Sequence, residues 1–282
     1  MKQRADKTTT TTVISHKGTQ LLKSEDLVAT EEPLEIRVHY GESFETAAVT
    51  MRTPGDDFEL AAGFLRSEGI VTDRDDILDI SYCLDSEVDA QQRFNIVNVL
   101  IDPDKRVDLT PLQRHFVMSS ACGVCGKASL EALSSREDIS VLKDGVIGSD
   151  IIYGLPDSLE NAQSIFKATG GLHAAALFDY DGKLVELRED VGRHNALDKL
   201  MGWALMGNKL PLRNHILLVS GRASFELLQK CAVGGISIFC AVSAPSSLAV
   251  DVAQQFGITL VGFLRRERFN IYAHDERIRT SI

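Results

Sequence analysis

The chain lacks any apolar run near the ~20 residues that a membrane-spanning helix requires, so no membrane span is expected. It lacks positive charge: 30 Lys and Arg stand against 40 Asp and Glu, a net charge of -10. That balance argues against nucleic-acid binding through a basic surface and leaves room only for a local basic pocket. No secretory leader is expected either. The basic opening Met1 to Arg4 soon gives way to a threonine run, Thr8 to Thr12, where an apolar segment would be needed. Cysteine is scarce: five residues, an odd number without framework spacing, fit a reducing compartment. The expected location is the cytoplasm. No internal repeat is present.

What remains is ordinary for a soluble protein, with 44% hydrophobic and 25% charged residues in 282, enough for one large or two modest domains. The polar, aperiodic residues 1–24 read as a disordered tail. Residues 25–110 read as a small α+β domain. Leu34, Ile36 and Val38 alternate into a hairpin with Phe44 to Met51. A helix capped at Asp56 or Asp57 runs to Gly69, and a second strand pair spans Ile77 to Leu84 and Phe94 to Ile101. Residues 111–148 hold no long periodic element and read as a mobile connection. Residues 149–282 alternate strands and helices. Pro156-Asp157-Ser158 opens a helix, Leu172 to Phe178 turns through Asp179–Gly182 into a second strand, and Asp190 caps a helix from Val191 to Met206. Short all-apolar strands at Ile216–Val219, Ile236–Val242 and Ile258–Phe263 are separated by helices. This predicts a mostly parallel sheet covered on both faces, a three-layer α/β domain.

Two constellations carry chemistry. The first is Ser119-Ser120-Ala121-Cys122-Gly123-Val124-Cys125-Gly126-Lys127. A glycine after each thiol lets the backbone bend, and nearby cations such as Lys127 and Arg114 favour thiolate. Such a pair serves as a reactive-sulfur loop, as part of a zinc-binding scaffold, or as a thiol-disulfide oxidoreductase motif. Cys83, Cys231 and Cys240 offer no second pair at matching spacing, so no metal site is expected.

The second lies at the carboxyl ends of the parallel strands, where open α/β sheets bind ligands. Two strands end in Ser220-Gly221-Arg222-Ala223-Ser224 and in Ser243-Ala244-Pro245-Ser246-Ser247, offering hydroxyls and amides. A third ends in Leu264-Arg265-Arg266-Glu267-Arg268, offering guanidinium groups suited to phosphate. Arg193 and His194, at the start of a helix, can reach the same ligand. His173, flanked by apolar residues, reads as a core histidine. Together these loops describe a pocket for a phosphate-bearing ligand on an acidic protein.

Several stretches jointly resemble the FdhD family, the sulfur carrier proteins required for formate dehydrogenase activity. They are Cys122-Gly-Val-Cys-Gly126, Gly170-Gly-Leu-His-Ala-Ala175, Glu189-Asp-Val-Gly-Arg-His-Asn195, Ser220-Gly-Arg-Ala-Ser-Phe-Glu226, Ala241-Val-Ser-Ala-Pro-Ser-Ser247, Val261-Gly-Phe-Leu-Arg265 and Arg268-Phe-Asn-Ile-Tyr272. Phe58 to Ile70 extends the likeness toward the amino terminus. The resemblance implies a fold similar to cytidine deaminases and a homodimer. It implies that sulfur is taken from a cysteine desulfurase as a persulfide on Cys122, assisted by Cys125. That sulfur passes to the bis-molybdopterin guanine dinucleotide molybdenum cofactor, bound as cargo, before the cofactor enters formate dehydrogenase. Phe263 to Arg268 (Phe263, Leu264, Arg265, Arg266, Glu267, Arg268) would contact that cofactor. Family members vary within this segment, and Arg266-Glu267 makes the present version more charged. A zinc-dependent deaminase does not fit: Ala175 stands where the acid after His173 would be needed, and no proline precedes Cys122.

Overall fold

A computed structural model describes residues 6–41, 43–85, 88–89, 92–103, 130–131, 133–136, 139, 141 and 145–280. The Cys122/Cys125 pair, and most of the region 111–148 expected as a mobile connection, lie outside the described residues.

The first element corrects the expectation of a disordered tail. β1 (Thr8–Lys17) and β2 (Gln20–Ala29) form an antiparallel hairpin in register from Thr8↔Ala29 to Lys17↔Gln20. β-branched threonines favour extended backbone whatever their polarity, and Gly18, at φ 61°, supplies the left-handed residue of the tight turn. Its base is tied to the body through Lys7, which donates to Asp56 Oδ2 at 3.1 Å.

β3 (Glu32–Tyr40) and β4 (Ser43–Arg52) form the expected hairpin. α1 (Asp57–Glu68) follows, stopped by Gly69 in the left-handed conformation. β5 (Ile77–Tyr82) and β6 (Ile96–Ile101) complete a sheet of order β4-β3-β6-β5. Leu34, Ile36 and Val38 face one side of it and pack with Leu60, Ala61 and Leu65 of α1. Alternation along the strand puts Glu35 and Arg37 on the other side, where they pair with each other at 2.8 Å.

The second unit begins with β7 (Ile147–Gly148) and α2 (Ser149–Ala162), then α3 (Ser164–Thr169). Pro156 sits inside α2, so the helix does not start at Pro156-Asp157-Ser158. The apolar residues Ile152 and Leu155 already face the core one turn earlier. β8 (His173–Asp179) and β9 (Leu184–Asp190) form a hairpin, then come α4 (Arg193–Met206), β10 (His215–Val219), α5 (Phe225–Val233), β11 (Ile238–Ala241), α6 (Ser247–Phe256), β12 (Thr259–Arg265), β13 (Arg268–Ala273) and β14 (Ile278–Arg279). The large sheet has order β13-β12-β11-β10-β8-β9. It is mixed, not mostly parallel: β10, β11 and β12 run parallel, while β8, β9 and β13 pair antiparallel at the flanks. Both flanks are hairpins, which short turns impose.

The central strands β10, β11 and β12 are largely apolar because both faces are covered. Leu217, Val219, Phe239 and Ala241 pack with α4, α5 and α6 on one side. Ile216, Leu218, Ile238 and Cys240 pack with Ile152, Leu155 and Leu159 of α2 on the other. Three layers result. Among the described residues no helix is long and apolar enough to cross a membrane.

Asp190 does not cap α4. Gly192 takes that position, and the fully buried Asp190 carboxylate becomes a junction between the two units. It accepts from the backbone N–H of Thr53 at 3.1 Å and of Gly192 at 2.8 Å, and pairs with Lys199 at 2.7 Å. Lys199 in turn donates to the Thr53 carbonyl at 2.9 Å. A buried charge needs such complete pairing to be tolerated.

Candidate functional site: the carboxyl edge of the large sheet

Parallel direction in β10, β11 and β12, with β9 running the same way across the antiparallel β8, carries four strand ends to one edge. The loops after Val219 and Ala241 interlock there. Ser243 N–H donates to the Gly221 carbonyl at 3.3 Å, Ala223 and Pro245 form a parallel bridge, and Phe263 N–H donates to the Ser243 carbonyl at 3.1 Å. Ser220 is fixed at both of its polar positions. Its N–H reaches the Ala174 carbonyl at 3.0 Å, and its hydroxyl oxygen accepts from Ala174 N–H at 2.9 Å.

Arg193 and His194 reach this edge because β9 ends at Asp190 and α4 starts three residues on, at Arg193. His194 Nε2 lies 3.4 Å from Ser224 Oγ and 3.8 Å from Glu226 Oε2. Burial, reinforced by the charges of Arg193 and Lys230, pushes the His194 pKa down to about 4. His173 is half-buried at the same edge, and burial and Arg193 lower it too. A Cβ on Gly221 would sit 3.5 Å from His173 Nδ1 and 3.7 Å from Arg193 Cδ, ordinary contact distances, which places the loop directly beside both side chains. The Arg193 guanidinium and the start of α4 make this spot electropositive, and the two imidazoles, shifted toward their neutral form, add hydrogen-bonding groups to it without adding charge. Glu226 lies on its rim. Burial alone would raise that carboxyl, but hydrogen bonds from its own backbone and from Ser224 hold it below the usual range.

The arginine segment is placed differently. Phe263, 40% exposed, has φ 53° at an irregularity between Gly262 and Arg265. A left-handed aromatic residue is strained, and such strain concentrates at functional edges. Leu264 turns inward and is fully buried. Arg265 folds over the end of β11, donating to the carbonyl of Val242 at 2.5 Å and of Leu264 at 2.8 Å. Arg266 turns toward α2, donating through Nε to Asp157 Oδ1 at 2.5 Å, with Nη2 3.6 Å from Glu160 Oε2. An open cleft of about 490 Å³ lies between this turn and α2, floored by Pro156, Val242 and Leu264. Glu267 and Arg268 complete its rim.

The structure therefore brings Arg193, His194, Ser220, Ser243 and Phe263 to one edge, with Arg222 exposed beside them, and places Leu264 to Arg268 in an adjoining cleft. Sequence reasoning missed His173, because its apolar neighbours hid a strand end. It missed Glu226, and Asp157 and Glu160, whose spacing of three puts both on one face of α2. Among the described residues no three His, Cys, Asp or Glu side chains are grouped to hold a metal ion.

The FdhD/NarQ family model matches residues 29–279. The chain belongs to the FdhD/NarQ family. Among its relatives, the sulfur carrier protein FdhD of Streptomyces coelicolor is 51% identical over 255 residues, covering 90% of this chain and 89% of its own. That of Mycolicibacterium paratuberculosis is 49% identical, covering 93% and 94%. A crystal structure named for a formate dehydrogenase accessory protein of Desulfotalea psychrophila superimposes with a TM-score of 0.75 at 25% identity, covering 97% of this chain and 100% of that one. The FdhD/NarQ match leaves out most of the β1–β2 hairpin and takes in both units of the fold, so the edge and the cleft lie wholly within it.

Proposed function

We propose that the chain is a sulfur carrier serving formate dehydrogenase, working as a homodimer in the cytoplasm. In this reading the Cys122 thiolate attacks the outer sulfur of a cysteine desulfurase persulfide. The donor S–S bond breaks, the donor cysteine leaves as thiolate, and Cys122 holds the new persulfide; no net oxidation occurs. Delivery as sulfide needs two electrons, which Cys125 supplies. Its thiolate attacks Cys122 Sγ, a Cys122–Cys125 disulfide forms, and the outer sulfur departs as hydrosulfide to the substrate. A cellular dithiol then restores both thiols.

The substrate of that delivery is the bis-molybdopterin guanine dinucleotide molybdenum cofactor, whose phosphates suit the strand-end amides, Arg193 and the arginine turn. Three central parallel strands with helices on both faces support the likeness to cytidine deaminases. The observation that carries the reading is the family match across residues 29–279, with relatives named as sulfur carriers at up to 51% identity. It is tested by incubating the chain with a desulfurase and cysteine bearing radioactive sulfur. Label is expected on the natural protein and absent from Cys122→Ala; equal labelling of the variant removes Cys122 from the role.

A further inference from the structure

Edge strands are usually guarded against the addition of a further strand by charges, proline or a bulge. β2 of the amino-terminal hairpin carries such guards, since Lys23, Glu25 and Asp26 stand in its middle. β1 has none. Thr8 to Ser15 is free of charge and proline, and its register with β2 runs without a shift from Thr8 to Lys17. Lys17 and Gln20 face each other across the two-residue turn. Alternation therefore turns the N–H and C=O of the even-numbered residues, Thr8 to His16, away from β2. Among the described residues no strand receives them.

The hairpin is held only near its base. Lys7 donates to Asp56, and a Cβ on Gly171 would sit 3.7 Å from that of Ala29. Toward the tip, Ile14, Leu21 and Leu22 are 68%, 67% and 51% exposed. Ile14 and Leu21 lie diagonally on one face, and Val13 and Leu22 lie diagonally on the other. A two-stranded ribbon with bare apolar side chains on both faces is marginal in water by itself, and further strands stabilise it.

We propose that β1 is a strand-addition edge that pairs antiparallel with β1 of a second copy, joining the two hairpins into one four-stranded sheet across a two-fold axis. This rests on the homodimer of the proposed function and names the surface that joins its copies. The occupant is a second copy because the strand complements itself. Outward-facing residues must meet outward-facing residues, and an axis at Val13 achieves this: Val13 opposes Val13 of the second copy, Thr12 meets Ile14, Thr10 meets His16 and Lys17 meets Thr9. No like charges stand opposite each other. Moving the axis to Thr12 would set Lys17 against Lys7, so the charges select the first register. In that register each diagonal continues into the second copy. Leu21 and Ile14 meet their counterparts in an apolar stripe of four side chains on one face, and Leu22 and Val13 do the same on the other. The family match begins at residue 29, the last of β2, so this device belongs to the chain's own amino-terminal extension.

Sedimentation of the full chain tests this. The natural protein is expected to be a dimer. Val13→Lys and Val13→Glu each set like charges on the axis, and Thr12→Pro removes an outward N–H at a position where an edge strand tolerates proline. Each should raise the dimer dissociation constant at least about tenfold. An equal mixture of Val13→Lys and Val13→Glu should regain the dimer, a recovery that unfolded variants cannot give. Variants that stay dimeric, or a mixture that stays monomeric, overturn the assignment of β1 and leave a homodimer through another surface standing. Assemblies larger than a dimer that vanish in the variants overturn the closed two-fold pairing. A natural protein that sediments as a monomer overturns the assignment together with the homodimer, while labelling of Cys122 still reports on sulfur acceptance.

Discussion

Gly63 of α1 and Gly202 of α4 lie at a helix crossing where neither has room for a Cβ: one on Gly63 would collide with the carbonyl of Asp198, and one on Gly202 with the carbonyl of Glu59. The helix that carries Arg193 and His194 thus rests directly on the backbone of the other unit. The atoms in the way are backbone and cannot rotate aside. Gly63→Ala and Gly202→Ala should each lower stability by ~3 kcal/mol, the upper part of the overpacking range, as read from urea denaturation. Midpoints equal to that of the natural protein would mean that the two units are not packed this closely.

The Asp190–Lys199 pair is a second tie between the units, with both side chains almost wholly buried. Lys199→Met removes one charge and leaves the other without its partner. We expect a loss of ~3–5 kcal/mol in the same measurement. Lys199→Met combined with Asp190→Asn should recover part of it, because the remaining charge is gone.

Acid sensitivity follows from His194. Its folded pKa is about 4, below its ordinary value of 6.5. Between those values the unfolded chain binds a proton that the folded chain refuses, so stability falls as pH drops from 6.5 toward 4 and levels off below. His194→Gln should flatten that part of the stability profile without changing the natural protein's stability near pH 8 by a comparable amount. An unchanged slope would place the titration on another group.

Arg265 and Arg268 line the cleft and are the groups proposed to meet phosphate. Changing either to Ala should weaken GDP binding by about tenfold, the usual worth of a charge-assisted hydrogen bond, and added salt should weaken binding by the natural protein in the same direction. Calorimetry giving equal affinity would return these arginines to a solvated surface.

Much of this arrangement was legible before any coordinates. The alternation of Leu34, Ile36 and Val38 marked β3, and the largely apolar runs at Ile216–Val219 and Ile258–Phe263 marked strands buried on both sides. Their shared direction then dictated that Ser220 and Ser243 meet at one edge, while the side chains of the arginine turn lie in the adjoining cleft. The hairpin at Thr8–Ala29 was hidden because polarity was read as disorder, although threonine is a strand former. Strand β13 escaped because Arg268 to Ala273 followed a run of charges that looked like a loop. The carboxylates of α2 were hidden by Pro156, which suggested that Pro156-Asp157-Ser158 opens a helix, whereas Asp157 lies inside one and on the wall of a cleft. His173 could have been found from pairing logic: a strand antiparallel to β10 begins where β10 ends.

The central claim is that Cys122 takes up sulfur, and intact-mass spectrometry with peptide mapping after incubation with a cysteine desulfurase and cysteine tests it most directly. The account predicts one added sulfur on the peptide bearing Cys122, lost on treatment with a thiol reductant and missing in Cys122→Ala. No added sulfur under conditions where the desulfurase itself is persulfidated, or sulfur found only on other cysteines, would contradict it.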